Sequence, residues 1–129
     1  MEFINAVINF NKEILGIQQR IIRGMQETEQ EITLKCLAEE LAELKQAIDN
    51  ASIVDQVDAI VDLVYFAFGA LYKIGLTPEQ INACCMAVHS ANMSKKRGVN
   101  AKRATGAADA VKPKGWVSPE DRISKILFD

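Results

Sequence analysis

An all-α fold, with a four-helix core and a loop-rich basic C-terminal tail, is what this 129-residue sequence predicts. Three observations carry the expectation. Apolar residues recur at helical spacing over long stretches, no stretch of useful length alternates as a strand does, and Gly and Pro cluster after position 98. The length suits a single domain, residues 1–129, with a helical core over 1–97 and a tail over 98–129.

The first helix is expected over about Phe3–Arg23, where Phe3, Val7, Phe10, Ile14, Ile17 and Ile21 share one stripe. The second is expected over about Glu29–Asp49. Its stripe, Leu34, Leu37, Leu41, Leu44 and Ile48, asks for a partner helix. The third spans about Ser52–Ile74 and stops at Gly75, a good C-cap residue. From Ala59 onward it is apolar nearly all round, which makes it the expected central helix. The fourth begins at a capping box, with Thr77 as N-cap, Pro78 at the first helical position and Gln80 reaching back, and runs to about Arg97. Ser118-Pro119-Glu120-Asp121 is placed to cap a last short helix carrying Ile123 and Leu127. Helix 3 has more apolar surface than one chain can cover, so a homodimer or homotetramer is expected.

Composition narrows the class. Three cysteines, two of them adjacent (Cys36, Cys84, Cys85), give neither a disulfide framework nor a paired zinc pattern, which favours a reducing compartment. The N-terminus has no basic segment ahead of an apolar one, and the most apolar run, Ala59–Tyr72, is too short to span a bilayer. A cytoplasmic protein is the expectation. The net charge of −2 conceals an asymmetry. Residues 1–94 carry six Lys/Arg against thirteen Asp/Glu, and residues 95–129 carry nine against four. An acidic body with a basic tail suits a place where cations and a polyphosphate meet.

The acidic residues of helices 2 and 3 carry the chemistry. In Glu39-Glu40-Leu41-Ala42-Glu43, Glu40 and Glu43 border the buried seam while Glu39 lies further round the helix. Helix 3 presents Asp55, Asp58 and Asp62 on one stripe, an arrangement of like charges that destabilises an isolated helix. Asp62 stands between Ala59-Ile60-Val61 and Leu63-Val64-Tyr65-Phe66, and a carboxylate buried there is expensive unless partnered. Divalent cations resolve the difficulty, because Mg²⁺, with Mn²⁺ as a substitute, takes hard oxygen ligands that facing acids on two helices supply. A solvated glutamate face is the plainer reading of Glu39, Glu40 and Glu43 taken alone. Other chemistries fit poorly: the chain has one histidine, no paired Cys/His spacing and no glycine-rich phosphate loop. Metal-assisted, phosphate-directed hydrolysis remains.

With those residues in hand, the chain resembles the all-α nucleoside triphosphate pyrophosphohydrolases, the MazG-like and phosphoribosyl-ATP pyrophosphohydrolase-like group. The resemblance rests on Glu39-Glu40-x-x-Glu43 and on Asp58-x-x-x-Asp62, where the family more often shows Glu-x-x-Asp. A bacteriophage-type subgroup looks closer still, through Asn9-Phe10-Asn11, Ala91-Asn92-Met93-Ser94-Lys95 and Lys112-Pro113-Lys114-Gly115-Trp116. Where such relatives often have Phe-His near the N-terminus, this chain has Phe10-Asn11. The resemblance implies hydrolysis of a (deoxy)nucleoside triphosphate to the monophosphate and pyrophosphate, with a purine deoxynucleotide such as dGTP or dATP favoured. It implies that Glu40, Glu43, Asp58 and Asp62 hold Mg²⁺.

Helix 4 and the tail complete the expected site. His89, Asn92, Lys95 and Lys96 form a polar face ending in cations. Asn92 is suited to orient a phosphate or base, and Lys95, Lys112 and Arg103 to neutralise phosphate charge. Trp116 either closes over a base or anchors the tail, and His89 is read as structural or exposed. Glu39, off the main ligand face, is the candidate general base or an extra metal ligand. Two rivals from other classes are a nucleic-acid-binding helical dimer using the basic tail, and a non-catalytic helical interaction bundle.

Overall fold

The computed structural model describes residues 1–18, 21–99, 102 and 107–129, and every structural statement below concerns these residues. They form helices α1 (Glu2–Glu13), α2 (Glu27–Asp49), α3 (Ile53–Ile74), α4 (Pro78–Met93) and α5 (Glu120–Phe128), and strands β1 (Lys96–Val99) and β2 (Ala108–Val111). The all-α expectation is met. The chain divides into two compact units, Met1–Ile81 and Asn82–Asp129, each described by itself.

In the first unit α3 is central and packs against both α1 and α2. The reason lies in residue size and in capping. Ala47 on α2 and Ala59, Gly69 and Ala70 on α3 are buried, and side chains this small let helix axes approach closely. Val7, Ile4 and Ile8 bury the inner face of α1, and each such side chain contributes about 1.5–3 kcal/mol. Only three residues, 50–52, join α2 to α3, which fixes the two as an antiparallel hairpin. Ser52 caps α3 by accepting the Asp55 amide at 3.2 Å. Gly75 ends α3 at φ 110°, where an added methyl would also collide with the backbone of Ile21.

The capping box before α4 forms as read from the sequence: Thr77 N–H donates to Gln80 Oε1 at 2.9 Å, and Gln80 N–H to Thr77 Oγ1 at 3.1 Å. Helix α1 is shorter than expected. It stops at Glu13 rather than near Arg23, because Gly16 takes φ 68° and the amides of Leu15 and Ile17 turn back to the carbonyls of Phe10 and Asn11. The apolar spacing of Ile14, Ile17 and Ile21 therefore does not belong to one helix. The following segment is tied to the end of α3 instead. Tyr72 Oη donates to the Ile17 carbonyl at 2.8 Å, and the Arg23 amide to the Ile74 carbonyl at 2.8 Å.

Covering of the apolar faces is incomplete. On α2 Leu34, Leu41 and Ile48 are exposed, Leu34 by 68%. On α3 Val57, Ile60, Val61 and Val64 are exposed, Val57 by 56%. The leucine stripe of α2 is thus covered only in part within this unit, with Leu37 and Leu44 half-buried.

The second unit corrects the expectation that no strands form. β1 and β2 pair antiparallel, with Lys96 opposite Val111, Arg97 opposite Ala110 and Gly98 opposite Asp109. Strands of four residues are too short to show alternation in a sequence. Helix α4 accordingly stops at Met93 rather than Arg97. Gly98, read as a break, lies inside β1, where a Cβ would come within 2.7 Å of Val111 Cγ2. A turn at Pro113–Trp116, with Gly115 at φ 79° and Trp116 N–H donating to the Pro113 carbonyl at 3.0 Å, presents Trp116. No single described helix is long and apolar enough to cross a membrane.

Candidate metal and nucleotide site

The antiparallel pairing of α2 and α3 aligns their chemistry rung by rung. One oxygen from each of Glu40, Glu43 and Asp62 lies within 4.8 Å of the others. Glu40 and Glu43 stand three residues apart on α2, one helical turn, so their side chains project to the same side. Asp62 meets them from α3. Glu40 and Asp62 are half-buried and Glu43 is exposed.

Glu40 is the unusual member. Its Oε2 is buried without a hydrogen-bond partner. Removal from water, a hydrogen bond with the Glu43 carboxyl, and the charges of Asp62, Glu43 and Asp58 raise its pKa from 4.5 to about 7. The ion pairs Arg23–Glu29 and Lys45–Asp49 do not involve the cluster. Three carboxylates drawn together, one with a buried, unsatisfied oxygen, fit a hard divalent ion by donor type and number.

The remaining acids stand around this centre. Asp58 is exposed and shares a recess of about 220 Å³ with Glu43, Asn50 and Asp55, toward the α2–α3 turn. It is not among the three converging oxygens, though its charge acts on Glu40. Glu39 is exposed and lies one turn before Glu43 on the outer side of α2.

In the opposite direction along the same seam lies an apolar cavity of about 220 Å³ between α1, α2 and α3. Its walls include Phe10, Tyr65 and Phe66, with Asn11, Thr33 and Lys73 as polar members. Cys36 of the wall is four residues before Glu40, and Phe66 four after Asp62, so cavity and carboxylates are one helical turn apart, about 6 Å along the axes. The sequence reading did not find this cavity. The available signal was Asn11 within the apolar stripe of α1, which is 3% exposed and donates its Nδ2 to the Val7 carbonyl at 2.9 Å.

Asn92, Lys95, Lys112 and Trp116 belong to the second unit. There the Lys95 and Lys112 ammonium groups lie 5.1 and 4.9 Å from the centroid of the Trp116 ring. Trp116 Nε1 donates to the Ala91 carbonyl at 2.8 Å, anchoring the ring on α4. Three of the five predicted substrate residues, Lys95, Lys112 and Trp116, are therefore assembled into one cationic platform, while the Asn92 side chain is exposed. His89 is exposed. Arg103 lies outside the described residues.

No curated protein matches the chain. The family model for phosphoribosyl-ATP pyrophosphohydrolase matches residues 7–92, a span that holds all the carboxylates of the cluster and both walls of the cavity. By that match, and in keeping with its helical fold and its paired acidic helices, the chain belongs to the phosphoribosyl-ATP pyrophosphohydrolase family, within the MazG-like superfamily, and is of the nucleotide pyrophosphohydrolase class.

Proposed function

We propose that this chain hydrolyses a (deoxy)nucleoside triphosphate to the monophosphate and pyrophosphate in a divalent-metal-dependent reaction, as a homodimer or homotetramer of the bacteriophage-type subgroup. The observation that carries the reading is the convergence of Glu40, Glu43 and Asp62 within 4.8 Å around an unsatisfied buried oxygen. Glu40, Glu43 and Asp62 would hold Mg²⁺, with Mn²⁺ as a substitute and Asp58 as a further ligand. Held there, the ion supplies neutralisation of phosphate charge and acidity to water.

The protein's own groups do the rest. Glu39, one turn from Glu43 and exposed, accepts a proton from the attacking water as its oxygen bonds to the α-phosphorus. The α–β bridging bond breaks and pyrophosphate leaves with the electron pair. Lys95 and Lys112, held over Trp116, are suited by their charge to bind a polyphosphate, with Arg103 and Asn92 as further proposed contacts. Resting on the indole limits the freedom of both lysines, so less entropy is lost when they meet a phosphate.

The test is pyrophosphate release from the four dNTPs, four NTPs and dUTP with Mg²⁺ or Mn²⁺, for the wild type and Asp62→Ala. At least one triphosphate should be cleaved between the α and β phosphates, and Asp62→Ala should lower turnover by ~100-fold, the scale of a disrupted metal site. An Asp62→Ala protein with near-wild-type turnover would falsify the assignment.

A further inference from the structure

The second unit holds a recess of about 400 Å³, built mostly from residues beyond the family match, which ends at residue 92. Its polar members are Ser90 and Ser94, one turn apart on α4, Lys114 of the turn, and Arg122 of α5. No Asp or Glu is among the described residues that line it. The acids nearest in sequence, Glu120 and Asp121, belong to the first turn of α5 and stand outside the lining. The ion pairs Arg23–Glu29 and Lys45–Asp49 involve neither of its cations. Trp116 forms part of the wall, and its ring already carries Lys95 and Lys112 at 5.1 and 4.9 Å from the centroid. Four cations thus gather around one indole. Like charges brought together cost free energy that a bound anion recovers.

The hydrogen bonds at the wall leave a donor to spare. Ser94 Oγ donates to the Ala91 carbonyl at 2.7 Å, and Trp116 Nε1 donates to the same oxygen at 2.8 Å. Ser94 can therefore turn its hydroxyl to an anion while the indole keeps that carbonyl satisfied. Arg122 brings a planar fork that matches two phosphate oxygens, and Lys114 a point charge. At about 400 Å³ the recess falls within the ~300–1,000 Å³ of formed ligand sites, more room than one orthophosphate fills.

We infer that this recess is an oxyanion site of the second unit that takes a diphosphate group, as free pyrophosphate or as the tail of a nucleotide. Several cations and two serine hydroxyls around one opening suit two linked phosphoryl groups better than one. The inference goes beyond the polyphosphate contacts proposed for Lys95 and Lys112, since it assigns Ser90, Ser94, Lys114 and Arg122. It requires neither a divalent ion nor hydrolysis, so it and the proposed reaction fail separately.

Trp116 is the only tryptophan of the chain, so its fluorescence reports on the recess directly. The full chain, in chelator, is titrated with pyrophosphate, orthophosphate, dGMP and dGTP. Pyrophosphate and dGTP should give a saturable change with a Kd at least ~10-fold below that of orthophosphate or dGMP, and the tighter of the two names the source. Arg122→Gln should weaken pyrophosphate at least ~5-fold, and Arg122→Lys, which keeps the charge but loses the fork, by a smaller factor. Lys114→Gln, in the exposed turn, gives a second reading if the Arg122 variants fold poorly. Lys125→Gln makes the same charge change on α5 outside the lining, and its Kd should stay within ~2-fold of the wild type. Asp62→Ala, with the carboxylate cluster broken, should bind pyrophosphate as the wild type does. That pattern without cleavage of any triphosphate would mean that the proposed reaction alone has failed. No saturable response overturns the inference, as does orthophosphate bound as tightly as pyrophosphate. Lys125→Gln as damaging as Arg122→Gln would reveal a diffuse positive field in place of a site, and loss of binding in Asp62→Ala would move the anion to the acids; either result also overturns it.

Discussion

Replacing Glu40 by Gln should move stability in opposite directions depending on whether a divalent ion is present. Gln keeps the size and hydrogen-bonding capacity of Glu40 but removes one of three crowded charges. With its pKa raised to about 7, Glu40 favours the folded state most when protonated. That contribution is full below the unfolded value near 4.5 and is lost as pH rises through about 7. At about 1.4 kcal/mol per pH unit the shift bounds the effect near ~3 kcal/mol, and solvent screening at a half-buried site reduces it to about 1–2 kcal/mol. Above neutrality and without metal, Glu40→Gln should therefore raise the melting temperature by roughly 4–8 °C. With metal the order reverses, because an ion at 100 times its Kd stabilises the wild type by about 2.7 kcal/mol while the variant has lost a ligand. Thermal melts at pH 6 and pH 8.5, in chelator and in millimolar Mn²⁺, read both signs. The metal-free advantage of Glu40→Gln should shrink at pH 6, where wild-type Glu40 is mostly protonated. A variant less stable than the wild type at pH 8.5 in chelator, or equally stabilised by Mn²⁺, would refute the reasoning.

Two further outcomes follow from the uncovered helix faces and the cationic platform. Leu41→Lys, on the exposed stripe of α2, should yield monomers or unfolded chain in sedimentation velocity at micromolar concentration, whereas the wild type sediments as a dimer or larger; a well-folded wild-type monomer would contradict the expected assembly. Ending the chain after Gly98 removes β2 and Trp116 but none of the clustered acids, so calorimetry should still detect Mn²⁺ binding while pyrophosphate release collapses, and Lys112→Ala in the full chain should lower kcat/KM in a salt-sensitive manner. Truncated protein as fast as the intact chain would remove the tail from the mechanism.

The carboxylates were legible in the sequence because their position violates solvation. Asp62 inside an apolar run and Glu40 beside a leucine stripe are costly placements, and a cost of that kind shows in a sequence before its fold is known. Helix starts were legible where a side chain does the capping, as at Ser52 and Thr77. The end of α1 was not, since Ile14, Ile17 and Ile21 continue the spacing of the helix after its hydrogen bonds have turned at Gly16. Periodicity reports which residues are apolar, not which are consecutive turns of one rod. The ribbon escaped because β1 is recognised by its partner a dozen residues away rather than by its own pattern. The cavity escaped for a related reason. Thr33, Asn11 and Gly69 lie on three helices, and their meaning arises only when α1 and α2 are both docked on α3.

The strap between α1 and α2 divides that connection into places that tolerate change and places that do not. Ile17 and Arg23 are moored to Tyr72 and Ile74 at the end of α3, and the backbone of Ile21 presses on Gly75. Additions at those points would have to break a long-range hydrogen bond or unseat a helix terminus. Gly24 is different: it is exposed, a Cβ built on it meets nothing within 4 Å, and its carbonyl accepts from Gln26 Nε2 at 3.1 Å, a bond two residues along the chain rather than one to α3. It sits past the last backbone tie to α3 and before the Gln26–Glu29 cap of α2, where the Gln26 amide donates to Glu29 Oε1 at 2.8 Å, and it is spanned by the Arg23–Glu29 ion pair at 3.7 Å, which an insertion would have to loop around. The molecule thus carries a natural splice point at Gly24, suited to an inserted epitope or to new termini, that leaves the seam of acids and the cavity beside it undisturbed.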